Sequence, residues 1–205
     1  MTAALDSRQR ILDAALKAFA DNGFSGARMD AIARAAAVNK ALPFYYFSSK
    51  EKLYAEVVAR VMQQFLGIIR PVMNARLTPE VMIERFPRAI IEFFSRNRDF
   101  LRIVGRELLD GTSRVPELLA RQIRGEPHGG PVFFGRMVAQ WYRDGLIRES
   151  NPVQFMLNMF SLTIYSILAR PMVEAAFQIE GKTDAEFYEE RIRSVTTVLK
   201  EGLLK

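Results

Sequence analysis

The sequence predicts an all-α protein of about nine helices, with a small three-helix head at the N-terminus and a larger helical body behind it. Three observations carry that prediction. No stretch shows the two-residue alternation of apolar and polar side chains that marks a half-buried strand. Apolar residues recur instead at three- and four-residue spacing, as in Ile11, Leu12, Ala15, Leu16 and Phe19. The segments marked in this way are bounded by helix punctuation, with Ser, Thr, Asp or Asn before them and Gly or Pro after.

Each element follows from its own signals. The first helix starts at Asp6 or Ser7 and stops near Asn22-Gly23. Short helices are expected from about Met29 to Ala36 and from Lys40 to Phe47, joined by a tight turn at Ala37-Val38-Asn39. Ser48-Ser49-Lys50-Glu51 reads as a capping box opening a long helix, with Leu53, Val57, Val61, Phe65 and Ile68 on its buried side. Thr78-Pro79-Glu80 offers an N-cap, a first-turn proline and an acid at the positive helix end. Pro87 should kink or split the helix that follows. Arg98 to Asp110 is amphipathic and stops at Gly111, and residues 111–131 are mostly irregular, with room for a short helix after Pro116. Pro131 to Arg143 forms another helix, and Asn151-Pro152 starts a long one kinked at Pro171. Thr183-Asp184-Ala185-Glu186 is a second capping box, ahead of a stripe of Tyr188, Ile192, Val195, Leu199 and Leu203. The domains expected are residues 1–50 for the head and 51–205 for the body.

Composition narrows the chemistry. The absence of cysteine excludes disulfides and thiolate metal sites and suits a reducing cytoplasm. The single histidine, His128, lies in the Gly/Pro-rich run 125–130 and reads as a solvated loop residue, so neither a metal site nor a cofactor is expected. The N-terminal twelve residues lack the apolar core of a signal peptide. The most apolar window, Phe155 to Leu168, is interrupted by Asn158, Ser161, Thr163 and Ser166, and reads as a buried helix rather than a membrane span. The formal charge of +6 suggests an anionic partner. Half of the excess sits in residues 1–50, which hold seven basic and four acidic side chains.

Residues 28–53 carry the most informative pattern. Two short helices with Ile32, Ala33 and Ala36 facing inward can approach closely because the alanines are small. The pair is too small to stand alone and needs Leu16 and Phe19 of the first helix as a third wall. The second helix opens with Asn39 as N-cap and Lys40 beside it, then shows four consecutive aromatics, Phe44 to Phe47. Aromatics at helical spacing usually form core, but four in a row cannot all face one way. The layout suits a helix inserted N-terminus first into a major groove.

These residues resemble the TetR (tetracycline-repressor-like) family of transcriptional regulators. The resemblance rests on Ile32-Ala33, on Ala36-Ala37-Val38-Asn39-Lys40-Ala41-Leu42-Pro43-Phe44-Tyr45-Tyr46-Phe47, and on Lys50 and Leu53, with Ile11 to Ala15 and Phe19 to Phe24 matching the family's first helix. It is specific over residues 8–57. It implies that Lys40, Ala41 and Leu42 meet base edges, with Lys40 donating to guanine and Leu42 packing on a thymine methyl. It implies phosphate contacts from Arg28, Phe44, Tyr45, Tyr46 and Lys50, the last aided by the free amides of its helix. Phe47 and Leu53 look like core. Four departures stand out: Ala37 for a turn glycine, Pro43 for a core leucine, Phe44 for a tyrosine, and Arg28 for an N-capping Thr or Ser. If the left-handed turn persists, Ala37 costs about 1 kcal/mol.

For the body the resemblance implies an effector cavity. Phe86, Ile90, Phe93, Phe94, Phe100, Val104, Phe133, Met137, Trp141, Met156, Met159 and Phe160 can line it, with Arg102, Arg106 and Glu107 as polar anchors if they face inward rather than to solvent. Each apolar residue among them reads more readily as core than as a ligand contact, and the charged ones read equally well as surface. The last two helices would pair with their two-fold mates, so that a homodimer presents two heads to a pseudo-palindromic double-stranded DNA operator. The expected protein is therefore a cytoplasmic, non-enzymatic, DNA-binding repressor, released by a small, mostly apolar effector and needing no membrane. An enzyme would require a nucleophile, base or phosphate-binding loop, and none is evident. A helical module binding a protein or a membrane surface through its basic head is the third reading.

Overall fold

The computed structural model describes residues 2–73, 77–111, 114–124, 130–179 and 182–205, with side chains from Asp6 onward; His128 lies outside the described residues. Ten helices are present among them: α1 (Thr2–Gly26), α2 (Met29–Ala35), α3 (Leu42–Phe47), α4 (Lys50–Val72), α5 (Pro79–Arg96), α6 (Arg98–Leu109), α7 (Arg114–Arg124), α8 (Pro131–Arg143), α9 (Pro152–Phe177) and α10 (Asp184–Leu203). The one β feature described is an isolated antiparallel bridge between Ile147 and Leu204. The helix beyond the expected nine is α7, whose Pro116 falls in the first turn, where a missing N–H breaks no helical bond.

The helices fall into two compact units, residues 1–64 with 97–122, and residues 65–96 with 123–205. The first holds α1, α2, α3, the first part of α4, α6 and α7, so its limits differ from a division at residue 50. In this unit α1 packs on α2, α3 and α6. Ile11, Leu12, Ala15, Phe19, Ile32, Ala33, Phe47, Leu53 and Val57 are buried together, which is the three-walled head expected from the sequence. Helix α1 breaks at Gly23, whose backbone is left-handed with φ 68°, and then continues for one more turn. A Cβ at Gly23 would lie 3.1 Å from the Arg106 guanidinium of α6, so the glycine meets both a backbone and a packing requirement.

In the second unit α5 packs on α9 and α10, and α9 packs on α8 and α10. Its interior is aromatic and aliphatic. Phe86, Ile90, Phe134, Trp141, Phe155 and Met159 are all buried, and the Phe86 ring meets Phe160 edge-on at 4.9 Å. Pro87 does not split α5, which runs continuously to Arg96. The stripe on α4 proceeds in steps of four from Leu53 to Phe65 and on to Ile69; Ile68, expected inside, is exposed. The caps follow the sequence closely. Asn151 Oδ1 accepts from the amides of Val153 and Gln154, Thr78 caps Val81, and Thr183 with Glu186 completes the reciprocal box.

Helix α9 is longer than its apolar window suggests. Its 26 residues would suffice by length and composition to cross a membrane. Here its inner row of Phe155, Met159, Thr163 and Ile167 is buried within the unit, while Val153, Leu157, Tyr165, Leu168 and Met172 are exposed. The two buried hydroxyls cost little, because Thr163 donates to Met159 O and Phe160 O and Ser166 donates to Thr163 O.

Candidate nucleic-acid interface and body cavity

The turn between α2 and α3 sets the site. Ala36 closes α2, and Ala37 takes a left-handed conformation with φ 53°. Its amide still donates to Arg34 O, and Val38 N donates to Ala33 O, so the turn carries glycine geometry on an alanine. Asn39 then caps the approach to α3, its Oδ1 accepting from Ala41 N at 2.9 Å. The helix proper begins at Leu42 rather than Lys40. Pro43 has no N–H to give back to Asn39, so the first four-residue bond runs from Tyr45 N to Ala41 O.

This geometry sorts the aromatic run. Pro43 and Phe47 are buried against the head, whereas Phe44 is 52% exposed and Tyr45 80% exposed. Tyr46 is half-buried, its ring 5.3 Å from Tyr45. Lys40 and Ala41 are exposed and Leu42 is partly so, which places all three expected base-reading positions together at the open end of α3. Arg28 is exposed at the start of α2, and no side chain caps that helix, since a guanidinium cannot accept a bond from an amide.

Lys50 is anchored within the head. Its Nζ donates to the carbonyls of Ser25 and Ala27 at 3.3 and 3.0 Å and lies 4.6 Å from the centre of the Phe24 ring. It therefore ties the start of α4 to the end of α1. Ser49 caps α4 through Lys52 N. The Glu51 backbone amide and the Ser49 hydroxyl hold the exposed Glu51 carboxyl below its ordinary range.

A buried polar contact joins α4 to α6 within the first unit. The Tyr54 hydroxyl donates to the Glu107 carboxylate at 3.0 Å, both groups being buried. Burial, followed by the charge and hydrogen bond of Glu107, pushes the Tyr54 hydroxyl well above its ordinary value. Glu107 thus belongs to this contact. Arg102 is exposed and pairs with Asp21 and Asp99. Phe100 is buried and Val104 half-buried on the same helix.

A cavity of about 320 Å³ lies in the second unit. Its walls include Phe65 and Ile69 of α4, Phe134 of α8, and Met156, Leu157 and Phe160 of α9. Of the residues expected to line a cavity, it includes Met156 and Phe160. Phe93, Met137, Trp141 and Met159 are buried core of the second unit, Phe133 is half-buried, and Phe100, Arg102, Val104 and Glu107 belong to the first unit. Sequence periodicity held the missed signal: Phe134 shares one helical phase with Met137, Val138 and Trp141.

Comparison with known proteins bears on the head first. Residues 11–57 match the family described as "Bacterial regulatory proteins, tetR family". The HTH-type transcriptional regulator RutR of Escherichia coli K12 is 26% identical over 198 residues, covering 96% of this chain and 90% of that protein. The HTH-type transcriptional repressor NicS of Pseudomonas putida is 31% identical over 103 residues, half of this chain and 49% of that protein. Among solved structures, the TetR family transcriptional regulator PfmR of Thermus thermophilus superimposes with a TM-score of 0.69 at 18% identity, covering 97% of both chains, a likeness of fold.

Proposed function

We propose, on the premise that this chain belongs to the tetR family of bacterial regulatory proteins and is a helix-turn-helix transcriptional regulator, that it is a homodimeric repressor released from its operator by a small apolar effector. The observation that carries the reading is the open end of α3, where Lys40, Ala41 and Leu42 sit beside the exposed Phe44 and Tyr45. Large aromatics left in solvent next to a lysine suit a helix that lies in a major groove with its flank along the phosphates. NicS, a named repressor, supports the sign of regulation.

In this reading residues 1–50 read DNA and residues 51–205 bind effector and dimerise. Lys40, Ala41 and Leu42 read bases; Arg28, Tyr45, Tyr46 and Lys50 contact phosphates, Lys50 with the N–H that its two carbonyl bonds leave over, and the Phe44 ring lies along the sugar-phosphate backbone. Two heads must stand about 34–36 Å apart to enter successive major grooves of a pseudo-palindrome. The exposed apolar residues Tyr165, Leu168 and Met172 of α9, beyond the cavity, are the surface a two-fold mate would cover. The cavity in the body is the effector site. An effector that prefers a state with wrongly spaced heads lowers operator affinity, and operator DNA lowers effector affinity by the same factor. The protein acts in the cytoplasm, where its operator lies.

The test is fluorescence anisotropy with DNA from upstream of the protein's own gene, against unrelated DNA, over a range of salt. Nanomolar, selective binding by a dimer is expected, with selectivity lost in Lys40→Ala at a cost of about 1–3 kcal/mol. Absence of binding to any DNA at low salt would overturn the reading.

A further inference from the structure

We infer, resting on the reading of the body cavity as the effector site, that its ligand is an electrically neutral, hydrocarbon-rich molecule and that anions are rejected. Three features of the cavity wall support this. First, all thirteen described residues lining it are apolar, so no side chain offers a charge or a hydrogen bond. Second, the start of α9, which would ordinarily attract an anion, is blunted here. The helix opens with Pro152, a residue that lines the cavity and has no N–H. The next two amides of α9, on Val153 and Gln154, are already bonded to Asn151 Oδ1 at 2.9 and 3.4 Å. Third, the buried hydroxyl of α9 nearest in sequence, Thr163, donates back to Met159 O and Phe160 O. A carboxylate entering this space would lose its hydration and gain no partner from the side chains of the thirteen lining residues.

Size and shape narrow the class further. The cavity of about 320 Å³ is roughly twice the volume of one that takes benzene, and lies at the small end of ligand pockets, which corresponds to about a dozen non-hydrogen atoms. Phe65, Phe134 and Phe160 supply aromatic faces, and Met73 and Met156 can change rotamer to fit a chain or a ring.

The experiment is titration calorimetry at pH 7.5 with the full-length protein and two probes of one chain length, n-decanol and n-decanoate. Decanol is expected to bind about a hundredfold more tightly than decanoate. In Met156→Lys the order should invert in favour of decanoate. Met156 is only half-buried, so an ammonium there can reach water and the variant can fold. Leu157→Phe, which fills the cavity without adding charge, should weaken decanol at least tenfold, and it serves if Met156→Lys does not fold. Decanoate binding wild type as tightly as decanol, with Leu157→Phe weakening both, would keep the cavity as the ligand site and overturn its neutral class. Binding of neither probe to wild type, or decanol binding untouched by Leu157→Phe, would remove the cavity as the ligand site and this inference with it.

Discussion

The two compact units both bury an apolar core and differ in the polar contacts that accompany it. In the first, directional polar bonds run between helices: Tyr54 to Glu107, Lys50 to the carbonyls of Ser25 and Ala27, and Arg106 against Gly23 and Asp21 O. In the second, the central contacts are rings and aliphatic chains, such as Phe86 on Phe160 and Phe65 on Phe93. Its buried hydroxyls, Thr163 and Ser166, are satisfied within their own helix, and buried Arg170 sits near the end of α9 between Glu174 and Asp184. Hydrogen bonds fail when geometry shifts by a fraction of an ångström, whereas apolar contacts tolerate repacking. A head that holds α3 in one attitude is served by the former. A body that keeps space for a ligand is served by the latter.

The largest effect should come from breaking the apolar interior. Phe86 is 0% exposed, and Phe86→Ala removes a ring that Phe160 meets edge-on. The expected loss is about 3–5 kcal/mol in urea unfolding. A loss below about 1 kcal/mol would mean the second unit is loosely packed, and the contrast drawn above would fail.

Breaking the polar interior should cost less and depend on pH. Tyr54→Phe deletes the bond to Glu107 and is expected to cost about 1–3 kcal/mol at neutral pH. The Tyr54 hydroxyl is raised above its ordinary 10.0, first by burial and then by Glu107. The stability this neutral phenol contributes is therefore full below about pH 10 and is lost as pH climbs above it. Thermal midpoints of the wild type should fall above about pH 10, and part of that fall should be missing in Tyr54→Phe. Identical alkaline slopes in the two proteins would show that the contact is not formed in solution.

The smallest effect is a gain. Ala37 holds φ 53°, so Ala37→Gly should stabilise the protein by about 1 kcal/mol without altering probe binding in the body. A loss of stability on that substitution would show that the turn is not left-handed.

Much of the fold was legible because its signals are local. Capping at Thr78, Asn151 and Thr183 depends on one side chain and amides two or three residues away. The stripe of α10 is an intrahelical periodicity, and all five of its residues are buried as expected. The turn before α3 and the helix itself were legible for the same reason, since they lie within one short segment. The cavity was less so. Arg102 and Glu107 look alike as charged residues on one amphipathic helix, yet one pairs with Asp21 in solvent and the other is buried beside Tyr54. Lys50 also bonds to carbonyls 23 and 25 residues away, contacts that no local spacing foretells.

What the sequence determined by itself was every helix except α7, the caps at Thr78, Asn151 and Thr183, the inward face of most helices and the turn that presents α3, because backbone bonding and side-chain periodicity act over a few residues. What only the tertiary structure decided was which inward faces close completely and which leave a space. It also decided which charges find partners distant in the chain. Those outcomes depend on volumes and distances between elements, which no spacing along one helix encodes.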